Sequence, residues 1–451
     1  MLVKITLENF KSFDGPVEFT MVSSSKIQGK KDHKVKIKGV QFLKYGVIYG
    51  ANASGKSNLV DFFSLFKNCV QDGLPVESVE WFCKNKESNK QRESNFEIQF
   101  TVDNKFYAYG FSAILSERKI TSEWLYELLR DGSAKCLFER EAKQRPVLSE
   151  TLNISDSDKQ RFEIYAEDFE DNETTLFLTE MNRNKKYPVR SKLNFFQKVY
   201  SWFRDNLYII KPDTPLMDLE YYYDDESLDL INRIIHSFDT GIIEVSVDTI
   251  TLEELQKSLS KPVFEDMMEH IRAKIQGRTV AKMRITMRSN TSFFNISVEG
   301  NNEPVVTTIR LHHSKSFYDF RFEDESDGTR RLFDLIDMLL NRRDDVVYIV
   351  DELDRSLHPK LTEHYLKKFM DLHRDKQKQL IFTTHEASIM DQALFRRDEI
   401  WFVERNGDNA STIYSLDRFK ERYDKRLSKA YLEGRYGAIP VFSSFDFGKE
   451  E

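Results

Sequence analysis

A chain of 451 residues can bury a large core without covalent staples, and a formal charge of −7 does not advertise nucleic-acid binding through its overall balance. Its three cysteines, Cys69, Cys83 and Cys136, are odd in number and lack metal-ligand spacing, which argues against a disulfide framework or a zinc site. No apolar run reaches the roughly 18–20 residues that span a bilayer, and the N-terminus lacks a signal-peptide layout, so a cytoplasmic protein without membrane contact is expected.

In chain order, Val3–Phe10 alternates apolar and polar residues, and Val17–Met21 repeats the pattern after Asp14-Gly-Pro16. That predicts an opening hairpin. Lys26, Lys30, Lys31, Lys34, Lys36 and Lys38 then crowd one segment. Two readings stay open for it: a solvated hairpin, or a loop that contacts nucleic-acid phosphates in a salt-dependent way.

Next comes Tyr45-Gly-Val-Ile-Tyr49, a buried strand by its composition, followed by Gly50-Ala-Asn-Ala-Ser-Gly-Lys-Ser57. The latter fits G-x-x-x-x-G-K-[ST], whose backbone N–H groups cradle nucleotide phosphates. Ser57–Phe66 reads as a helix with Leu59, Phe62, Phe63 and Phe66 on one side. Its N-terminus would aim unpaired N–H groups and a partial positive charge at the phosphates. In this loop Lys56 is expected to reach the β/γ-phosphates and Ser57 to hold Mg²⁺. Gly50 and Gly55 permit the tight turn, and Asn52, Ser54 and Asn58 complete the expected nucleotide contacts.

A second hairpin is predicted from Phe96–Val102 and Phe106–Phe111, joined at Asp103-Asn-Lys105. From 116 to 304 the pattern changes, and a compact, mainly helical insertion is expected there. Ile120–Leu129 reads as a strand, and helices are predicted near 192–207, 226–238, 252–258 and 262–276. Ser227 is the expected cap of the second, and Thr251 with Glu254 forms a capping-box pattern for the third. Tyr221–Glu226 reads as surface loop. No heptad repeat is sustained, so no long coiled coil is expected.

From about 305 the core resumes. Phe322–Leu340 is an acidic loop running into a helix capped by Ser326 or Asp327, with Leu332, Leu335, Ile336 and Leu339 as its apolar stripe. Val346–Val350 is an apolar strand ending in Asp351-Glu352, and Gln379–Thr384 is another ending in His385. Glu399–Glu404 reads as a strand and Leu416–Glu433 as a helix. Strands alternating with helices around a phosphate loop predict an α/β fold with a mostly parallel sheet, flanked by the antiparallel hairpins.

Strand ends in a parallel sheet open onto the crevice that holds the loop. Asp351 there can hold Mg²⁺, and Glu352 can polarise an attacking water, as phosphoryl transfer requires. His385 suits a hydrogen bond to the γ-phosphate side, with His358 the weaker candidate. Ser326-Asp-Gly328 offers a hydroxyl, a glycine and a helix N-terminus, a second anion-binding device or an ordinary helix cap.

These pieces in this order resemble the ABC-type ATPases, in particular the SMC-like and overcoming-lysogenisation-defect branch, over roughly residues 1–115 and 305–451. Ile349-Val-Asp-Glu352 matches the Walker B strand, Leu353–His358 looks like the D-loop, and Thr383-Thr-His385 looks like the switch histidine. Ser326-Asp-Gly-Thr-Arg330 stands where the family signature Ser-Gly-Gly occurs, with Asp327 replacing its middle glycine. Gln99 is the nearest candidate for the glutamine loop. More narrowly, Ser326–Arg331, Asp351–Pro359 and Tyr431–Pro440 resemble bacterial abortive-infection ATPases, antiphage proteins commonly encoded beside a separate effector. The resemblance implies ATP and Mg²⁺ as cofactors and an ATP-sandwich dimer of heads. It also implies that Ser326 and Gly328 act in trans on nucleotide at Lys56. An SMC-like DNA maintenance or repair ATPase is the alternative, disfavoured by the missing coiled-coil arms.

Overall fold

The computed structural model describes residues 1–212, 225–275, 283–288, 293–298, 303–419 and 427–440. Strands Tyr45–Tyr49, Val346–Val350 and Lys378–Thr383 are buried at every position. For the apolar runs Tyr45–Tyr49 and Val346–Val350 that is expected, because a parallel strand covered on both faces has no solvent side to give to polar residues. In Lys378–Thr383 the buried polar side chains Gln379 and Thr383 are instead hydrogen-bonded, to the backbone of Leu2 and Leu43 and to Asp351. The three strands lie in a six-stranded sheet of order Leu207–Ile210, Val346–Val350, Lys378–Thr383, Tyr45–Tyr49, Ile400–Arg405, Ser411–Ser415. The four strands from Val346–Val350 to Ile400–Arg405 are mutually parallel, and Ser411–Ser415 runs antiparallel at the edge. Val350 pairs with Phe382 and Phe382 with Val47, so Gly50, Asp351 and His385 all leave the sheet at one edge.

The chain divides into two compact units. The first holds Met1–Ile209, Arg343–Leu353 and His373–Glu451, and contains this sheet. It also contains a seven-stranded antiparallel sheet. From one edge its order is Val147–Leu148, Ala134–Glu141, Lys119–Leu128, Lys105–Ile114, Ser94–Val102, Leu2–Glu8, Val17–Thr20. Both expected hairpins are there, and Lys119–Leu128 and Ala134–Glu141 continue the second hairpin past residue 115.

Helix Lys56–Asp72 packs its predicted stripe, Leu59, Phe62, Phe63 and Phe66, into one core with Ile5, Leu7, Phe96, Ile98 and Phe111 of the antiparallel sheet. Phe62 meets Phe96 at 6.0 Å, and Phe66 stacks on Phe203 at 5.2 Å. Each such burial contributes about 1.5–3 kcal/mol, so the helix that follows the phosphate loop is fixed by its apolar face rather than by propensity. Phe203 belongs to a π-turn, Trp202–Asn206, that extends helix Asn194–Ser201 and buries both aromatic rings. Deeper in this unit the Glu123 carboxylate is buried 3.6 Å from Arg140 and accepts from Tyr109 Oη, Phe177 N and Leu178 N. Burial pushes its pKa up against the pull of these partners.

The second unit holds Ile210–Arg342 and Asp354–Leu372. Its sheet runs Ile242–Ile250, Val305–His313, Phe293–Val298, Met283–Arg288, all antiparallel, with Phe320–Arg321 paired to Val305–His313. Leu255, Met267, Ile271, Ile296 and Val306 form its apolar cluster. The expected helices are Asp225–His236, Leu252–Ser258 and Lys261–Ile275, and the Thr251–Glu254 capping box is formed. Ser227 is a correction: it lies inside the first turn of Asp225–His236 rather than before it. Tyr221–Asp224 of the expected loop lies outside the described residues, while Asp225 and Glu226 are helical. Segment 416–433 divides into turn Leu416–Arg418 and helix Leu427–Leu432, with 420–426 outside the described residues.

Candidate functional site

Gly50 and Gly55 are required by close approach. A Cβ on Gly50 would strike the Val403 carbonyl and come within 2.6 Å of Ser54 Oγ. Gly55 sits at φ +110°, and a Cβ there would meet Ser411 Oγ and, at 2.6 Å, Ser12 Oγ. Two serines distant in sequence pin the loop from outside. Ser411 Oγ lies 2.5 Å from Ser54 O and 2.7 Å from Ser12 Oγ, which also accepts from Asn58 Nδ2 at 2.7 Å. No side chain caps helix Lys56–Asp72, so its first N–H groups stay directed at the loop. Lys56 is buried, and its Nζ donates to Gly50 O at 2.8 Å and Ala51 O at 3.0 Å. Ser54 Oγ is buried without a hydrogen-bond partner, while Asn52 and Ser57 are exposed. An uncapped helix start, a loop that excludes every Cβ at two points and a lysine folded over it fit a phosphate chain.

Asp351 is buried at the end of its strand and accepts from Thr383 Oγ1 at 2.6 Å. Glu352 follows in left-handed backbone, φ +50°, half-buried, and its N–H donates to the same Thr383 Oγ1 at 2.8 Å. His385 is exposed two residues beyond Thr383, and Thr384 N bonds to Ile48 O on the strand before the loop. Among the described residues no group of three or more His, Cys, Asp or Glu could hold a metal by itself. A divalent ion at Asp351 and Ser57 would therefore complete its oxygen shell from phosphates and water, the habit of Mg²⁺.

A family model described as "AAA domain, putative AbiEii toxin, Type IV TA system" matches residues 47–391. The chain belongs to this family. No curated protein matches it. Among solved structures it is similar to an SmcHead bound to the C-winged helix domain of ScpA, with 16% identity over 92% of this chain and 97% of that chain and a TM-score of 0.38. The SMC head domain from Thermotoga maritima gives 13% identity over 92% of this chain and 98% of that chain, with a TM-score of 0.32. An Smc head with an extended coiled coil bound to the C-terminal domain of ScpA, from Pyrococcus furiosus, gives 14% over 96% and 99%, with a TM-score of 0.35.

In this AAA-domain protein the remaining predicted residues separate. Ser326, Gly328 and His358 belong to the second unit. Ser326 caps helix Asp327–Leu340, accepting from Thr329 N at 3.1 Å, and the whole predicted stripe of that helix is buried. A Cβ on Gly328 would come within 2.7 Å of Ser356 O. His358 accepts from Lys360 N at the start of helix Pro359–Leu372, a capping position. Gln99 sits mid-strand in the antiparallel sheet with its amide bonded to Glu97. The lysine segment forms a hairpin of Lys34–Ile37 and Val40–Leu43 with Lys26, Lys31, Lys36 and Lys38 exposed. Lys30 is tied to Ala393 O instead, and burial lowers its pKa. No helix among the described residues is long and apolar enough to cross a membrane.

The family member's C-terminal stretch Tyr431–Pro440, opaque as sequence, packs beside the phosphate loop. Tyr431 and Tyr436 stack on Phe402 at 5.6 and 5.7 Å, and Tyr431 Oη donates to Ala438 O. Ala438, Ile439 and Pro440 face Ala51–Ser54 across a cavity of about 510 Å³. Gly437, at φ +68°, would bring a Cβ within 2.7 Å of both Glu404 Oε2 and Tyr414 Oη. Gly437→Ala is therefore expected to lower the urea midpoint, by about 1–3 kcal/mol of stability. Gly407→Ala, with open space around it, is expected to change nothing. Equal midpoints for the two variants would remove the packing role of Gly437.

Proposed function

We propose that this chain binds ATP with Mg²⁺ and hydrolyses it, and that it works as a nucleotide-driven switch in prokaryotic antiphage, abortive-infection defence, controlling a separate effector. The observation that carries the reading is one sheet edge presenting Gly50–Ser57, Asp351–Glu352 and His385 together. In this reading Gly50, Asn52, Ser54, Gly55, Lys56, Ser57 and Asn58 cradle the phosphates. Ser57 and Asp351 hold Mg²⁺, Glu352 polarises the attacking water and His385 meets the γ-phosphate. Ser326 and Gly328 serve nucleotide on a second copy, so the ATP-loaded chain dimerises. The defence assignment takes its support from the family description and from the abortive-infection motifs.

The test is light scattering on purified Glu352→Gln with and without ATP and Mg²⁺, beside co-purification from the native operon. An ATP-dependent mass increase that carries a neighbouring gene product supports the switch. The same increase with DNA retained in a salt-sensitive way, through the exposed lysines of Lys26–Lys38, moves the assignment to DNA maintenance. No nucleotide-dependent change in a chain that starts as a monomer removes the trans role of Ser326.

A further inference from the structure

One threonine clamps three consecutive residues of the candidate catalytic segment. Thr383 has no exposed surface. Its Oγ1 donates to Asp351 Oδ1 at 2.6 Å and accepts the Glu352 N–H at 2.8 Å, so donor and acceptor are both used in opposite senses on neighbouring residues. Its carbonyl accepts from Leu353 N at 3.1 Å. Between these contacts the backbone of Glu352 turns into the left-handed region, φ +50°, which L side chains seldom adopt and which persists only where surroundings impose it. The next residue, Thr384, bonds to Ile48 O on the strand that enters the phosphate loop, and His385 follows. The hydroxyl of Thr383 thus joins the carboxylate pair to the strand that ends in the histidine.

We propose that Thr383 is a positioning residue for hydrolysis. It touches no reacting atom. It aims the Asp351 carboxylate at the metal and fixes the backbone turn from which the Glu352 side chain projects, and through its strand it links their geometry to that of His385. Such a role rests on the hydrolysis reading above. A methyl in place of the hydroxyl keeps the volume and the β-branch that the strand prefers, but it deprives Asp351 of this donor and leaves the Glu352 N–H facing carbon.

The experiment compares Thr383→Val and Thr383→Ser with the wild-type full-length chain. It measures kcat and KM for Mg²⁺-dependent ATP turnover, the affinity for a fluorescent ATP analogue in EDTA, and thermal unfolding. Loss of a group that orients a metal ligand costs about 10–100-fold in activity, and that fall in kcat is expected for valine. Metal-free affinity stays at the wild-type value. The unfolding midpoint falls modestly, because two hydrogen bonds of the buried hydroxyl are lost, while the chain remains folded at the assay temperature. Serine restores both turnover and midpoint because it restores the hydroxyl. Wild-type turnover in Thr383→Val overturns the proposal. So does a serine variant as slow as valine, or metal-free affinity that falls in step with kcat. Should Thr383→Val not fold, Thr383→Ala read against Thr383→Ser takes its place with the same outcomes. A wild-type chain without Mg²⁺-dependent turnover defeats the hydrolysis reading itself, whereas wild-type turnover with an indifferent Thr383→Val defeats this inference alone.

Discussion

Glu352→Gln is expected to leave ATP bound and to slow its hydrolysis by about 10²–10⁴-fold, the range a positioned general base contributes. That is about 2.7–5.5 kcal/mol of barrier. The amide keeps the size of the carboxylate, and the backbone N–H bond to Thr383 Oγ1 does not involve the side chain, so the left-handed turn survives. What disappears is the negative charge that draws a proton from water. The same charge repels a triphosphate, so its removal leaves ground-state binding unchanged or tighter. A fall in kcat with KM unchanged or lower is the signature of an interaction needed in the transition state. Single-turnover measurement with excess protein isolates the chemical step from product release. A variant that cleaves ATP at the wild-type rate would remove Glu352 from the role assigned to it.

The phosphate loop and the carboxylate pair were legible because their chemistry is contiguous. Gly50–Ser57 carries its turn glycines, its lysine and its hydroxyl within one short stretch, and Val346–Val350 announces a fully buried strand before Asp351. The residues that hold these groups in place were not legible, because their partners are far apart in the chain. Ser411 meets Ser12 across 399 positions and Thr383 meets Asp351 across 32. Neither separation leaves a periodicity or a spacing that sequence reading can use. Tyr431–Pro440 could be quoted as a motif, yet its reason lies in Phe402, Glu404 and Tyr414, which it packs against. In residues 116–304 Ile120–Leu129 read as a strand, but its partner was not readable: it pairs with Lys105–Ile114 of the hairpin before it, Tyr109 opposite Leu125 and Phe111 opposite Glu123. The capping box at Thr251 was readable because its two members are three residues apart. Ser227 was misplaced because its helix already includes Asp225 and Glu226, so the serine falls within the first turn.

Lys56→Met is expected to abolish tight nucleotide binding with the fold intact. Methionine keeps most of the unbranched stem that Lys56 buries, so the packing around the start of helix Lys56–Asp72 is retained. The ammonium is what goes. At present it donates to Gly50 O and Ala51 O, and in the proposed complex it turns from these carbonyls to the β/γ-phosphates. Hydrogen bonds to charged groups contribute about 1.5–3 kcal/mol each, so losing one or two of them weakens ATP by about 10–10³-fold or more. The loss must follow the phosphates. ATP and ADP are expected to weaken together, while adenosine, which offers the lysine nothing, binds as before. Calorimetric titration of the three ligands separates the possibilities. An equal fall for all three means that the loop has collapsed once its lysine no longer ties Gly50 and Ala51. Unchanged affinity for ATP means that the phosphates do not lie on Gly50–Ser57, which would undo the assignment of the whole sheet edge, Glu352 included.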